Sequence, residues 1–398
     1  MHALKVLHNK LQQACPFIHQ KRLAILVLAI HALLIGQRLS LTQLGRRLAS
    51  KALVKHNIKR IDRLLGNPHL HQERNSIYQF MSQELLKGNQ RPLIIVDWSK
   101  LTTERNFHLL RASLPVGGRA LTLYEEVHPK KNIGSPKVHK RFLQTLQKLL
   151  PDDCSPIVIT DAGFRNPWFK MVMALGWDYV GRIRNRDLIK PVNKGDWAPC
   201  KNLYRKATYQ ARYLGEYTTT RRNPLKSYLY LIKQKAKGRH RYNQDGSRTT
   251  RGQSEKIARR EREPWLITTS LQGGQDEAQR IITYYKTRMQ IEEAFRDTKS
   301  HRVGFSASES LTRHQARLEI LLLIGALATF FTWLMGMLAE LKQWHRQYQS
   351  NSNKTRRVLS TFFIGCQMAK ENKLRLGKQE YETALLQVRG DAMEQGNV

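Results

Sequence analysis

The chain of 398 residues carries 68 Lys plus Arg against 31 Asp plus Glu, a formal charge of +37 at pH 7. That length supports two or three domains with sizeable cores. The charge is spread along the whole chain, which argues against a tethered basic arm and for a broad surface facing a polyanion, nucleic acid before an anionic membrane. The four cysteines, Cys15, Cys154, Cys200 and Cys366, stand far apart without metal-ligand spacing, which argues against zinc and for reduced thiols in a cytoplasmic protein. No targeting signal is evident: Leu23 to Gly36 is apolar, but it contains His31 and starts late for a signal peptide.

Residues 1–85 read as a helical DNA-binding domain. Ser40-Leu-Thr-Gln43 has the form of a capping box that opens a short helix through about Leu48. Val54 to Leu65 is amphipathic and is stopped by Gly66-Asn67-Pro68. Val54, Ile58, Ile61 and Leu65 form its apolar stripe, and His56, Lys59, Arg60 and Arg63 its basic face. Two short helices with a basic second one fit a helix-turn-helix-like DNA reader, with Lys59, Arg60 and Arg63 as contacts. A packing helix with a solvated basic face fits the same pattern.

From Arg91 the hydrophobic period changes. Pro92 to Asp97, His108 to Val116 and Ala120 to Val127 read as three successive strands, with Pro115-Val-Gly-Gly118 as the last turn. Val138 to Leu150 reads as a helix, Pro156 to Asp161 as a strand, Pro167 to Leu175 as a helix and Asp178 to Ile183 as a strand. This is a mixed α/β sheet with buried central strands, begun over residues 86–185 and completed over 265–345. Between them, residues 186–264 read as a β-rich insertion suited to embracing nucleic acid. Residues 186–263 alone hold 21 Lys plus Arg against 7 Asp plus Glu. Tyr209 to Tyr217 and Tyr228 to Ile232 are its strands, and Lys235 to Arg251 is a polar surface loop.

Trp265 to Thr269 returns to strand character, Tyr285 to Lys299 reads as one helix, and residues 310–345 as a long apolar helix. Within the last, Ile320 to Ala339 carries no charge and meets the length of a membrane span. Basic flanks and the lack of a second span favour a core helix instead. Residues 346–398 read as a C-terminal helical region whose tail beyond about Lys370 is polar and frayed.

Asp97 closes the apolar run Leu93 to Val96, and Asp161 closes Ile157 to Thr160. Strand ends are where open α/β sheets place ligands, although an aspartate there also serves as a turn former or helix cap. At about 100° per residue, Tyr285, Arg288, Glu292 and Lys299 share a sector of roughly 60° on a helix, and Glu293 points about 100° away. Glu292 is then half of a solvated ion pair or the third acid of a site. Three such carboxylates suit two divalent ions roughly 3.5–4 Å apart for phosphoryl transfer. Hard oxygen donors favour Mg²⁺ or Mn²⁺ over zinc, and the ions relieve repulsion among the acids.

The order Tyr285-x2-Arg288-x3-Glu292-x6-Lys299, with Ile-Val-Asp97-Trp and Thr-Asp161-Ala-Gly-Phe upstream, resembles the signature and aspartate blocks of DDE transposases of the insertion-sequence-four family. The similarity runs from about residue 1 to residue 345 and is weakest beyond. It implies an α/β, RNase H-like catalytic domain interrupted by a β-rich insertion, with helical N-terminal DNA-binding and C-terminal regions. The implied activity is cut-and-paste transposition: end nicking, hairpin formation and opening, and strand transfer. Asp97, Asp161 and Glu292 would be the catalytic acids holding two Mg²⁺ or Mn²⁺ ions, and Tyr285, Arg288 and Lys299 would contact end phosphates. Trp265 would stack on a flipped base, worth about 1–3 kcal/mol, unless it is an ordinary core residue opening a strand. The implied partner is double-stranded DNA, both terminal inverted repeats and target, bound by a dimer in a bacterial cytoplasm with no membrane involved. Two rival readings are a metal-dependent nuclease of the same fold that joins nothing, and a catalytically inactive DNA-binding repressor.

Overall fold

The computed structural model describes residues 2–101, 106–184, 187–193, 195–235, 263–300, 304–353, 356–371 and 376–396. Contacts divide the chain into two units, Met1–Cys154 with Met289–Asn397, and Ser155–Arg288. The first unit opens with five helices, α1 (His2–Ala14), α2 (Gln20–Gly36), α3 (Leu41–Arg46), α4 (Val54–Leu65) and α5 (Pro68–Leu86). Ser40 stands at the N-cap of α3, but its side chain makes no cap bond, so the expected capping box does not form. Asn67 does cap α5: its Oδ1 accepts from Leu70 N at 3.0 Å, with Pro68 in the first turn.

Helices α3 and α4 cross at Gly45, where a Cβ would lie 2.6 Å from Ile58 Cα. The crossing decides which face of α4 is inside. Ile61, Leu64 and Leu65 are buried, whereas Val54 lies beyond the crossing and is 52% exposed. The expected stripe is corrected accordingly.

Three antiparallel strands follow, β1 (Leu93–Lys100), β2 (Phe107–Pro115) and β3 (Ala120–Pro129), and then helix α6 (Pro136–Leu149). Gly117 (φ 80°) and Gly118 (φ 91°) make the β2–β3 turn in the left-handed region that glycine enters freely. The register sets Asp97 opposite Arg111 and Arg111 opposite Glu125.

The second unit contains β4 (Ile157–Thr160), α7 (Asn166–Met173), β5 (Asp178–Ile183), β6 (Leu188–Pro191), β7 (Ala198–Pro199), β8 (Arg212–Thr219), β9 (Leu225–Ile232), β10 (Trp265–Thr269) and α8 (Ala278–Lys286). Its strands run in the order β4-β5-β10-β9-β8-β6-β7. β4 and β5 are parallel across α7, and the other pairs are antiparallel. The strands between residues 188 and 232 thus continue one sheet through β10. Ile183, Ile189, Cys200, Leu203, Leu229, Leu231 and Leu266 close a shared apolar cluster. Most of the expected polar loop, residues 236–251, lies outside the described residues.

The helix expected from Tyr285 to Lys299 is interrupted. α8 ends at Lys286 and α9 (Met289–Lys299) begins after a turn at Thr287 and Arg288. The cause is local. Thr287 Oγ1 donates to Tyr284 O at 2.7 Å, and the backbone N–H groups of Thr287 and Arg288 reach only three residues back, so the α ladder tightens and stops. The division into units falls at the same point. Tyr285 therefore lies on α8, Arg288 in the turn, and Glu292 and Lys299 on α9, not on the single helix expected.

Helix α10 (Gln315–Leu341) is the apolar helix, and 94% of its most apolar window is buried inside the protein. It packs on α2, β3 and two closing helices, α11 (Thr361–Glu371) and α12 (Lys378–Gly396). α10 and α11 approach reciprocally. A Cβ at Gly336 would lie 2.0 Å from Thr361 O, and one at Gly365 1.9 Å from Thr332 O. The expectation of a frayed tail is overturned by α12, whose Tyr381, Ala384, Leu385, Val388 and Ala392 are buried at helical spacing. Tyr381 OH donates to Glu84 Oε2 at 2.8 Å, and Arg389 Nε to Glu84 O at 2.7 Å.

Candidate active site

In the first unit, Asp97 and Lys299, both singled out from sequence, meet at the C-terminal half of β1. Asp97 is 9% exposed, and its Oδ1 accepts from Trp98 N at 2.7 Å. Successive strand residues face opposite ways, so Trp98 points to α6, where its Nε1 donates to His139 Nε2 at 3.2 Å. His139 is buried beside His128, and burial first, then that neighbour's charge, lowers its pKa to about 4. The neutral ring is what an acceptor for the indole requires. On the same face, Glu126 takes hydrogen bonds from His128 (2.8 Å), Tyr124 (2.7 Å) and Arg141 (2.9 Å). Burial works to raise its pKa, and these bonds prevail and hold it near 2.

The opposite face of β1 meets α9. Lys299 Nζ donates to Ser99 Oγ at 2.8 Å and lies 5.5 Å from the Phe295 ring centroid. Burial, then the charge of Arg111, lower its pKa, while the Asp97 carboxylate acts to raise it. Lys299 and Asp97 are therefore electrostatic neighbours. Glu292 is exposed in the first turn of α9, about 10 Å along the axis from Lys299 at 1.5 Å per residue. The neighbouring acids are otherwise engaged: Glu293 with Arg296 (2.5 Å) and Arg119 (3.7 Å), and Asp297 with Arg119 (2.6 Å).

In the second unit, Asp161 follows directly on β4. Its Oδ1 accepts from Gly163 N at 2.8 Å, an Asx turn, and a Cβ at Gly163 would sit 2.9 Å from that oxygen. Tyr285 on α8 is 4% exposed and meets Trp265, half-buried at the start of β10, edge-on at 5.1 Å between centroids. Burial raises the Tyr285 pKa and Asp161 adds to that, whereas Arg288 and Arg182 oppose it. Those four side chains share one neighbourhood. Arg182 was not anticipated; its signal was a lone cation in the apolar run Tyr179-Val-Gly-Arg-Ile183.

Asp97, Glu292 and Lys299 thus belong to one unit, and Asp161, Tyr285, Arg288 and Trp265 to the other. Among the described residues, no group of three or more His, Cys, Asp or Glu is gathered as a metal cluster. The donor chemistry of the three acids, hard carboxylate oxygens with no thiol or imidazole beside them in the set, is that of a Mg²⁺ or Mn²⁺ site. On α4, Lys59 is exposed and pairs with Asp62 at 3.6 Å, and Arg63 is exposed. Arg60 Nη1 donates to the exposed Ser50 Oγ at 3.1 Å.

Residues 88–329 match the family described as Transposase DDE domain. No curated protein matches the chain. Among solved structures, the chain is similar to one described as the cryo-EM structure of piggyBac transposase synaptic complex with hairpin DNA. The identity is 11% and the TM-score 0.40, over 92% of this chain and 76% of that one.

Proposed function

This chain belongs to the transposase DDE domain family, and from that premise we propose that it moves an insertion sequence by cut-and-paste DNA transposition. The observation that carries the reading is the family match over residues 88–329, which takes in Asp97, Asp161 and Glu292 together. The finer resemblance, to the insertion-sequence-four family and especially to the transposase of transposon Tn-ten, rests on the signature residues themselves.

Asp97, Asp161 and Glu292 are the acids that would hold two Mg²⁺ or Mn²⁺ ions. Such ions activate water or a 3′-hydroxyl and stabilise the leaving oxygen. Every step, from nicking through hairpin formation and opening to strand transfer, is phosphoryl transfer, so one set of acids serves all of them. Lys299, held at Ser99 Oγ beside Asp97, supplies a cation for the end phosphates. Arg288 does the same from the second unit, and Tyr285 backs the indole of Trp265 edge-on, leaving a face for an unstacked base. Lys59 and Arg63 present charge from α4 to the duplex, and two copies pair two ends.

The test is incubation of the purified protein with labelled DNA bearing its element's own terminal repeat, with and without Mg²⁺. Metal-dependent hairpin ends and joined products are expected, and Asp97→Ala, Asp161→Ala and Glu292→Ala should each abolish cutting while retaining DNA binding. Nicks without joining would favour a nuclease, and binding without cutting an inactive repressor.

A further inference from the structure

Arg111 sits in the middle of β2 and is 3% exposed. Its cross-strand neighbours are Asp97 on β1 and Glu125 on β3. Directly opposed residues share a sheet face, with Cβ atoms roughly 4.5–5.5 Å apart. The guanidinium is engaged on three sides. Nε donates to Glu125 Oε2 at 2.7 Å, Nη1 donates to Thr298 Oγ1 at 3.2 Å, and its centre lies 5.1 Å from the Phe295 ring centroid. Glu125, 2% exposed, is held from its other oxygen by Tyr78 OH at 3.1 Å. Thr298 passes its own proton to Ala294 O at 3.0 Å, which leaves the hydroxyl oxygen facing Arg111.

A buried ion pair is a poor source of stability, because desolvation offsets most of the attraction. What a planar guanidinium offers instead is direction. Arg111 grips α9 at Phe295 and Thr298, one turn apart, and the next residue, Lys299, is tied to Ser99 on β1. A slip of one residue would rotate α9 by about 100° and break both ties. We propose that Arg111 is a positioning residue that fixes the rotation of α9 on β1 and β2, and so aims Glu292 and Lys299 relative to Asp97. The proposal rests on the assignment of Asp97 and Glu292 as catalytic acids. It adds a residue that touches neither DNA nor metal.

The experiment compares full-length wild type with Thr298→Val, Thr298→Ser and Arg111→Lys. Thr298→Val deletes only the strut to α9 and leaves the Arg111–Glu125 pair, Thr298→Ser keeps the hydroxyl, and Arg111→Lys keeps charge without the fork. The readouts are single-turnover cleavage of end DNA, the Mn²⁺ concentration for half-maximal cleavage, Mn²⁺ binding to the protein–DNA complex by electron paramagnetic resonance, and end-DNA binding without metal. Thr298→Val and Arg111→Lys should weaken Mn²⁺ binding and cleavage by about 10- to 100-fold. Metal-free DNA binding should fall far less, because Lys299 is one phosphate contact among several, and Thr298→Ser should stay near wild type. Wild-type Mn²⁺ binding and cleavage in Thr298→Val and Arg111→Lys would overturn the proposal, as would a loss in Thr298→Ser equal to that in Thr298→Val. Failure of the underlying assignment looks different: Asp97→Ala or Glu292→Ala would then still cut.

Discussion

Asp97 and Asp161 look alike in the sequence, each following four strand-forming residues, Leu93 to Val96 and Ile157 to Thr160, and the structure gives them opposite settings. Asp97 lies inside a strand that continues to Lys100, with a buried cation across the ladder and α9 packed on the same unit. Asp161 stands past the end of its strand, half-buried, on a turn formed by its own carboxylate and Gly163. The first is fixed by what surrounds it and the second by how the chain bends. Damage to each should therefore travel differently.

The largest effect is expected in the packed setting. Arg111→Met leaves Glu125 buried without its cation, and such a broken pair costs about 3–5 kcal/mol, read as a lower urea midpoint. A loss under about 1 kcal/mol would show that the two settings are equally permissive. Acid sharpens the same contrast. His139 has its folded pKa lowered from 6.5 to about 4, so the unfolded chain takes up a proton first and stability falls as pH drops from 6.5 towards 4. Glu126, held near 2 against a usual 4.5, extends the loss below pH 4.5. The histidine contribution is on the order of 3 kcal/mol, and a His139→Gln variant should flatten the curve of urea midpoint against pH between 6.5 and 4.5.

At the turn, smaller stability effects with a clear functional cost are expected. Gly163→Ala drives a methyl to 2.9 Å from Asp161 Oδ1. It should lower stability by about 1 kcal/mol while slowing cleavage by up to about 100-fold through misplacement of the acid; unchanged cleavage would mean the turn does not aim the carboxylate. Smallest of all is Arg165→Ala. It deletes an ion pair with Asp187 whose cation is 73% exposed, and denaturation should move by less than about 0.5 kcal/mol.

Much of this was legible in the sequence because it depends on local patterning. The strands of the first unit, helix α4 with its stop at Gly66-Asn67-Pro68, and Asp161 at the end of β4 all follow from period and turn chemistry, whereas Asp97, expected to close its strand, lies inside β1, which pairs on through Lys100. Two misreadings have specific causes. A sequence rich in helix formers hides the break at Thr287, since the break depends on one hydroxyl returning to Tyr284 O. The polarity of the tail hides α12, whose five buried residues occupy one face among charges. Arg111 and Glu125 were passed over for the opposite reason. Charges inside apolar strands were visible in His-Leu-Leu-Arg111-Ala and Leu-Tyr-Glu125-Glu-Val, but only the register shows that they face each other.

The crossing of α10 and α11 has a genetic consequence. Each helix offers a glycine to the other's threonine carbonyl, and a methyl at either would fall within about 2.0 Å of that oxygen. A single base change converting Gly336 or Gly365 to a larger residue would force the pair of helices apart, and no change in a neighbouring side chain would relieve a clash with backbone. Such a change can silence a copy of this gene while leaving the proposed catalytic acids Asp97, Asp161 and Glu292 intact. Those two glycines therefore belong beside the proposed catalytic acids in any reading of whether a copy can work.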